Sequence, residues 1–314
     1  MKTLNSFSLD FLKITEKSAL ACYPFIGQGD PMGADQAAVD AMRESFQGLD
    51  MDVQIVIGEG ERDQAPRLYT GEKLGNPKSQ TRIDVAVDPL EGTTICAEGR
   101  EGSLSVMSVA LRGKLFKAPD IYMKKIACGP QAKEAIDLNE SVKKNVYSVC
   151  EALNKKPEDL VVGVLKRERH QDLIEDLRKA KACIRLVGDG DVSLALETAL
   201  ENSPIDLLMG TGGAPEGVLA ASALACLGGG FQGQLVYYKE EEKKRALECG
   251  LKDLDKIWKR EELVSGETLF CATGVTKGFL LDGIRYKKGC WISHSLILTA
   301  QGRKEVKNSH KKSV

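Results

Sequence analysis

The sequence predicts an α/β protein in two joined lobes: an α+β first lobe with a mixed sheet, and an α/β second lobe with a mainly parallel sheet. Two observations support this prediction. Strand-like runs cluster early in the chain, whereas helix-like and strand-like segments alternate from about residue 145. In addition, 314 residues exceed the usual size of a single-core domain. We therefore predict lobes at 1–145 and 146–314.

The first lobe combines two helices with several strands. Apolar residues at helical spacing predict helices at 9–21 and 34–46. Runs rich in β-branched residues predict strands, and the first two end in acidic, glycine-containing turns. These strands are 53–61, 83–92, 104–111 and 121–129. Together they predict an antiparallel or mixed sheet in this lobe.

The second lobe alternates regularly between helices and strands, which is typical of a parallel sheet with covering helices. The predicted helices are 146–153, 170–181, 192–200 and 218–227, and the predicted strands are 160–166, 183–188, 205–210 and 230–238. The charged stretch 239–259 predicts a solvated surface helix. The basic, apolar-poor tail 302–314 predicts disorder.

Composition excludes several function classes. With 44 Lys and Arg against 45 Asp and Glu, the net charge of −1 gives no general field for binding nucleic acid or an acidic membrane. Nine scattered cysteines without a zinc-like spacing favour a reducing, cytoplasmic setting. Three histidines argue against a His-rich zinc site and against a Ser-His-Asp hydrolase. Hard metals with carboxylate ligands remain possible.

The most specific motif is DPLEGTT at 88–94, which follows an apolar strand. Asp88 and Glu91 flank a turn that the proline helps to fix, so these carboxylates and the Leu90 carbonyl offer the oxygen ligands that hard cations prefer. Gly92 and Thr93 then begin a predicted helix, whose free N–H groups suit a phosphate. The alternative is an ordinary turn capped by threonine.

Two other acidic or glycine-rich turns follow predicted strands. In GEGERD, Glu59, Glu61 and Asp63 place three like charges within six residues, which favours either a bound cation or a solvated loop. In GTGGAPEGV, glycines allow close backbone approach to a ligand, and Glu216 precedes the next helix. The second turn matches neither the dinucleotide fingerprint nor the P-loop.

Two polar groups suit a phosphorylated sugar. KRERH at 166–170 supplies forked arginine donors for phosphate, and GDGDV at 188–192 supplies aspartates that accept hydrogen bonds from hydroxyls. Each follows a strand of the predicted parallel sheet. A solvated basic loop and a glycine turn with a helix cap are the respective alternatives.

Together these motifs resemble a known family. DPLEGT is similar to the metal-binding signature of the lithium-sensitive, inositol-monophosphatase-like phosphatases. The chain-wide order GQGD, GADQAAV, IVIGEGERDQAP, DPLEGTT, APDIYM, GDGDV, GGAPEGV and ATGVTKG resembles class II fructose-1,6-bisphosphatases of the GlpX type. One departure is Pro31, because many family members have Lys after the first Gly-Asp.

The resemblance implies a layered sugar-phosphatase fold and a set of site residues. The implied metal ligands are Asp35, Glu59, Asp88, Glu91 and Glu216. The implied substrate contacts are Glu91, Gly92, Thr93, Tyr122, Arg167, Glu168, Arg169, Asp189, Gly190, Asp191 and Gly213. Asp63 and Thr93 match the superfamily pair that orients and deprotonates the attacking water. The first lobe would thus hold metal and phosphate, and the second would hold the sugar phosphate.

The resemblance also implies the reaction. We expect hydrolysis of the 1-phosphate of fructose 1,6-bisphosphate with Mn²⁺ or Mg²⁺, as in gluconeogenesis, by a cytoplasmic homodimer or homotetramer. Sedoheptulose 1,7-bisphosphate and inositol phosphates are alternative substrates, and a non-catalytic sugar-phosphate sensor is the alternative of another class. A water-activating pair argues against the sensor, since binding alone does not need one. A glycosidase explains neither the five acids nor the phosphate turn.

Overall fold

The structure is a computed structural model that describes residues 3–59 and 68–311. Within these residues the helices, in chain order, are α1 (Ser8–Cys22), α2 (Pro31–Ser45), α3 (Thr93–Ala97), α4 (Val142–Leu153), α5 (Gln171–Lys179), α6 (Asp191–Glu197), α7 (Ala214–Leu227), α8 (Glu240–Glu248) and α9 (Arg260–Leu263). The strands are β1 (Asp52–Ile57), β2 (Lys73–Gly75), β3 (Arg82–Glu91), β4 (Leu104–Leu111), β5 (Tyr122–Cys128), β6 (Val161–Leu165), β7 (Cys183–Val187), β8 (Leu207–Gly213), β9 (Gly230–Val236), β10 (Ile257–Lys259), β11 (Thr268–Gly274), β12 (Arg285–Lys287), β13 (Cys290–Thr299) and β14 (Gly302–Lys311). No described helix has the length and apolar character needed to span a membrane.

The chain forms two compact units, and the first is discontinuous in sequence. Unit 1 comprises Met1–Leu115 and Gly266–Val314. Its sheet has the order β12-β13-β11-β4-β3-β1-β2, with β14 paired to β13, and β1 runs parallel to β3. Helices α1 and α2 pack on this sheet over a core that includes Phe11, Phe46 and Val85.

Unit 2 comprises Phe116–Ser265. Its sheet has the order β10-β9-β5-β8-β6-β7, in which β6 pairs in parallel with β7 and β8 while the other pairs are antiparallel. A core cluster that includes Ile126, Val146 and Val162 joins strands β5 and β6 to helix α4.

The predicted α/β class is confirmed, and the positions of most helices and strands agree with the sequence patterns. The second sheet, however, is mixed rather than mainly parallel. Strand β5 is the main cause, because it lies between β8 and β9 and runs antiparallel to both. The first sheet is mixed, as predicted, but β5 is not part of it.

Two further predictions of local structure are wrong. The stretch 239–259 is helical only in α8, and its end forms β10, which pairs with β9. The tail, as far as Lys311, forms strand β14 rather than a disordered segment.

Buried hydrogen bonds explain how a polar tail forms a strand. Glu16 of α1 is 2% exposed, and its Oε1 accepts hydrogen bonds from Ser293 Oγ and Asn308 Nδ2, each at 2.8 Å. His310 Nε2 lies 2.8 Å from Ser293 Oγ. The half-buried residues of β14 alternate with exposed ones and are Val306, Asn308 and His310. The polar side chains of Asn308 and His310 are satisfied by the buried Glu16 carboxylate and by Ser293.

Candidate active site

The Asp-Pro-Leu-Glu segment lies at the carboxyl end of β3 in unit 1. The β3–β4 register shifts between Asp88 and Glu91, so the strand is irregular where the two acids lie. Asp88 Oδ1 accepts a hydrogen bond from the Leu90 amide at 3.1 Å, and the Glu91 carbonyl accepts one from Ser103 Oγ at 2.9 Å. Such bulges commonly redirect side chains next to active sites.

The register of the parallel pair brings a second acid to the same sheet edge. Ile57 of β1 pairs with Ala86 of β3, and both strands run in the same direction. Glu59 follows Ile57 by two residues, just beyond the end of β1, and Asp88 follows Ala86 by two residues within β3. The carboxyl ends of parallel neighbours lie at one edge, so the sequence prediction that these turns share a site is consistent with the fold of unit 1.

Helix α2 carries Asp35 into the same neighbourhood. Ala34, which precedes it, packs in one core cluster with Leu90 of β3 and Cys96 of α3. Ser18 Oγ lies 3.0 Å from the carbonyl oxygens of both Ala38 and Pro89, and so ties α2 to the β3 turn. Burial raises the pKa of the Asp35 carboxyl.

Of the two residues assigned to water activation, the structure describes one. Thr93 is the first residue of α3, and Gly92 before it has φ of +81°, a left-handed conformation that favours glycine. Asp63, like Glu61, lies outside the described residues. The geometry of the Asp63–Thr93 pair therefore stays a prediction.

In unit 2, Glu216 lies in the first turn of α7, directly after β8. Its Oε2 atom is buried and has no hydrogen-bond partner within the described part of the chain. Burial raises the pKa of this carboxyl, and the nearby Lys125 charge opposes that rise. A buried carboxylate oxygen that receives no donor is suited to a cation.

Hydrogen bonds to the backbone of Thr211 hold the basic turn after β6 against the end of β8. Arg169 Nε donates to the Thr211 carbonyl at 2.9 Å, and His170 Nε2 accepts from the Thr211 amide at 2.8 Å. Because Nε2 accepts, the proton of the neutral ring lies on Nδ1, which donates to the Leu165 carbonyl at 2.7 Å. Arg169, His170 and Thr211 line a cavity of about 230 Å³.

An aromatic stack extends from Arg169. Its guanidinium lies over the Tyr122 ring, 4.8 Å from the centroid. The Tyr122 ring in turn meets Tyr238 edge-on, with centroids 5.4 Å apart. The predicted contacts Tyr122 and Arg169 are thus together, whereas Tyr238 was not predicted because a tyrosine after a strand gives no specific sequence signal.

The other predicted sugar-phosphate contacts of unit 2 lie at neighbouring strand ends. Arg167 Nη2 and Asp189 Oδ1 form an ion pair at 3.5 Å, which joins the turn after β6 to the turn after β7. Glu168 is exposed beside them, and Gly190 has φ of +100° before α6. Gly213 ends β8, where a Cβ would lie 1.9 Å from Glu216 Oε2.

Asp191 has a partner that the sequence analysis did not single out. Lys125 of β5 is 2% exposed, and its Nζ forms a short ion pair with Asp191 Oδ2. The sequence gives no signal for it, because Lys125 directly follows Lys124 and only the fold shows that one is exposed and the other buried. Once the burial is known, an anionic partner is expected, because lysine is seldom fully buried without one.

No group of three or more His, Cys, Asp or Glu side chains at metal-binding geometry occurs among residues 3–59 and 68–311. Residues 60–67, which include Glu61 and Asp63, lie outside the described part of the chain. The chemistry of the candidate ligands is what supports a metal, because they offer hard carboxylate oxygens, one of which is the buried Oε2 of Glu216.

The comparisons with known proteins identify the family. The model of bacterial fructose-1,6-bisphosphatase, glpX-encoded, matches residues 5–311. This chain belongs to that family. A D-fructose 1,6-bisphosphatase class 2/sedoheptulose 1,7-bisphosphatase from Thermosynechococcus vestitus is 44% identical, covering 95% of this chain and 93% of the relative. A protein of the same description from Synechocystis is 42% identical at 95% and 93% coverage.

Solved structures of related description align only in part. An extragenic suppressor protein suhB from Bartonella henselae aligns at a TM-score of 0.37 and 13% identity, over 62% of this chain and 73% of its own. An inositol monophosphatase-fructose 1,6 bisphosphatase aligns at 0.33 and 12%, over 63% and 73%. The glpX family assignment confirms the resemblance that the sequence motifs indicated.

Proposed function

We propose that this glpX-family chain hydrolyses the 1-phosphate of fructose 1,6-bisphosphate, giving fructose 6-phosphate and inorganic phosphate. The family match over residues 5–311 supports this most directly. The relatives' description also names sedoheptulose 1,7-bisphosphate, which makes that sugar the second candidate substrate. Inositol phosphates are a weaker alternative.

The proposed metal ligands are Asp35, Glu59, Asp88, Glu91 and Glu216. All are carboxylates, which suit Mn²⁺ or Mg²⁺ better than they suit softer metals. When bound, such a cation neutralises phosphate charge and lowers the pKa of a coordinated water. The buried Oε2 of Glu216 supports a cation on that side chain, since a buried oxygen without a donor is otherwise costly.

The remaining residues have roles in orientation and proton transfer. We assign Asp63 and Thr93 to the attacking water, with the Asp63 carboxylate receiving its proton. Gly92 allows the backbone turn that presents Thr93 and its neighbouring N–H groups to the 1-phosphate. Asp189, Gly190, Asp191 and Gly213 are proposed to contact the sugar.

Two arginines of unit 2 are proposed to bind the distal phosphate, which is the phosphate that is not hydrolysed. Among the described residues, Arg169 bonds to the Thr211 carbonyl through Nε and packs its guanidinium face on the Tyr122 ring. Its Nη groups are proposed to bind the phosphate. Arginine in a fixed orientation binds phosphate through two parallel hydrogen bonds. Arg167 is proposed as the second cation, held by Asp189, with Glu168 beside it.

A metal-depletion experiment with carboxylate variants tests this proposal. Phosphate release from fructose 1,6-bisphosphate should stop with a chelator and return with Mn²⁺ or Mg²⁺. Glu59→Ala, Asp88→Ala and Glu216→Ala should each abolish turnover, because a hard cation loses a ligand. The exposed Glu248→Ala serves as the control and should retain activity. Near-normal turnover in all three variants would eliminate the proposed metal site.

The setting of the reaction is also a proposal. Charge balance, scattered cysteines and the bisphosphatase family favour a cytoplasmic homo-oligomer, a dimer or tetramer, acting in gluconeogenesis. All nine cysteines are free thiols: five are buried, two are partly buried, and Cys183 and Cys249 are exposed. Sedimentation equilibrium of the purified chain would give the oligomeric state.

A further inference from the structure

Strand β5 carries a charged residue in the interior of unit 2. Lys125 is 2% exposed, on the same side of the strand as the buried Met123. Burying an ammonium group is unfavourable unless an anion and hydrogen bonds compensate it. Here the compensating anion is Asp191, whose side chain is 12% exposed. Asp191 is the first residue of α6 and one of the proposed sugar contacts.

Gly212 and Gly217 leave space for the Lys125–Asp191 ion pair, because neither residue has a side chain. A Cβ on Gly212 would lie 2.1 Å from Asp191 Oδ2 and 3.2 Å from Lys125 Nζ. A Cβ on Gly217 would lie 3.5 Å from Lys125 Cε and 2.6 Å from Met123 Sδ. The pair therefore packs directly against the glycine-rich turn of residues 210–217, where β8 ends and α7 begins and which also contains Gly213 and Glu216.

We propose that Lys125 is a positioning residue for the sugar site: its buried ammonium fixes the Asp191 carboxylate against the glycine-rich turn, so that Asp191 can accept hydrogen bonds from sugar hydroxyls. This inference rests on the proposed function. Lys125 would act through Asp191 and would not touch the substrate. A lysine that only filled space could be replaced by Met without affecting ligand recognition.

The test measures recognition of the sugar separately from recognition of phosphate. Inhibition constants (Ki) of fructose 6-phosphate and of inorganic phosphate are measured against fructose 1,6-bisphosphate turnover for the wild type and for Lys125→Met. We expect the Ki of fructose 6-phosphate to rise about tenfold or more, the usual scale for a hydrogen bond to a charged group. The Ki of inorganic phosphate should stay within about twofold, because phosphate has no sugar hydroxyls. The exposed Lys156→Met should match the wild type in both constants.

A double-mutant cycle tests the route through Asp191. If Lys125 acts through Asp191, the double variant Lys125→Met/Asp191→Asn should have the same Ki for fructose 6-phosphate as Asp191→Asn, instead of the product of the two losses. The double variant buries neither charge, so this comparison remains valid even if Lys125→Met alone does not fold.

The outcomes separate this inference from the proposed function. If the wild type releases no phosphate from fructose 1,6-bisphosphate, the proposed function fails. If the wild type is active but Lys125→Met leaves the Ki of fructose 6-phosphate unchanged and only lowers the melting temperature, Lys125 is structural and the inference is overturned. Multiplicative losses in the double variant would also overturn it.

Discussion

At the scale of single residues, the acids of the proposed metal site belong to short local motifs, whereas the buried Lys125 has a partner far away in the sequence. In the sequence, Asp88, Glu91 and Glu216 each lie close to a glycine at the end of an apolar run, and this local pattern predicts a site. Lys125, by contrast, is recognised only through its distant partner Asp191, 66 residues away in sequence. Side-chain burial depends on sheet pairing, which a local pattern does not specify.

The residue-scale prediction concerns Thr93 and Asp63. Thr93→Ala should lower kcat by about 10²-fold or more, the usual scale for losing a positioned proton-transfer group, with KM close to the wild-type value. Asp63→Asn should lose a comparable amount, because it keeps the shape of the side chain but removes the base. Steady-state kinetics on fructose 1,6-bisphosphate measure both constants.

If Thr93 and Asp63 act as one unit, the double variant should be hardly slower than either single variant. Fully multiplicative losses would show independent roles, and normal kcat in Asp63→Asn would remove that residue from the mechanism. If Thr93 contributed only to the fold, Thr93→Ala would change the stability and leave kcat intact, which thermal melts beside the kinetics would detect.

At the scale of elements, the positions of most helices and strands agree with the sequence periodicity, whereas that periodicity does not predict which strands pair in the sheets. Strand β4 spans the predicted 104–111, because its apolar run is bounded by turn residues. Strand β14 was missed because its inward-facing side chains include Asn308 and His310, which are satisfied by the buried Glu16 rather than by apolar packing. A polar strand of this kind has no hydrophobic alternation to predict it.

The stack at the ends of β5 and β9 gives an element-scale prediction. Tyr238→Ala should raise KM for fructose 1,6-bisphosphate about two- to twelvefold, because an edge-to-face aromatic pair contributes about 0.5–1.5 kcal/mol to the position of Tyr122. Tyr238→Phe keeps the ring and should stay near the wild-type KM. Equal losses in the Phe and Ala variants would assign the effect to the hydroxyl group and contradict the stacking role.

Strand β14 gives a prediction on pH dependence. A hydrogen bond from Lys307 of β14, with the charges of Arg285 and His294, lowers the pKa of Asp282. A lowered carboxyl pKa stabilises the fold above the unfolded-state value, about 3.9, and this contribution is lost as the pH falls through the folded-state pKa. Asp282→Asn should therefore reduce the free energy of unfolding at pH 7 by up to about 1 kcal/mol.

Urea unfolding at pH 7, 5 and 3 checks this prediction for Asp282. The difference between the wild type and Asp282→Asn should be present at pH 7 and 5 and should shrink at pH 3, which lies below the unfolded-state pKa of about 3.9. A difference that is constant across the three pH values would mean that the ion pairs to Lys307 and Arg285 do not stabilise this region.

At the scale of the whole chain, the two-part organisation was predicted but its division was not. The sequence places one boundary at 145, whereas the compact units divide after Leu115 and again before Gly266. The reason is that β11 pairs with β4, so the end of the chain returns to the first sheet. Neighbouring strands in a sheet are usually close in sequence, and a return over more than 150 residues has no local signal.

We propose that this chain is a metal-dependent sugar-bisphosphate phosphatase that prefers fructose 1,6-bisphosphate. The most direct test is kcat/KM for phosphate release with Mn²⁺ and with Mg²⁺ on fructose 1,6-bisphosphate, sedoheptulose 1,7-bisphosphate and inositol 1-phosphate. We expect the kcat/KM on fructose 1,6-bisphosphate to be at least equal to that on sedoheptulose 1,7-bisphosphate and well above that on inositol 1-phosphate. After chelation we expect no turnover. Higher kcat/KM on inositol 1-phosphate, or phosphate release from none of the three, would contradict it.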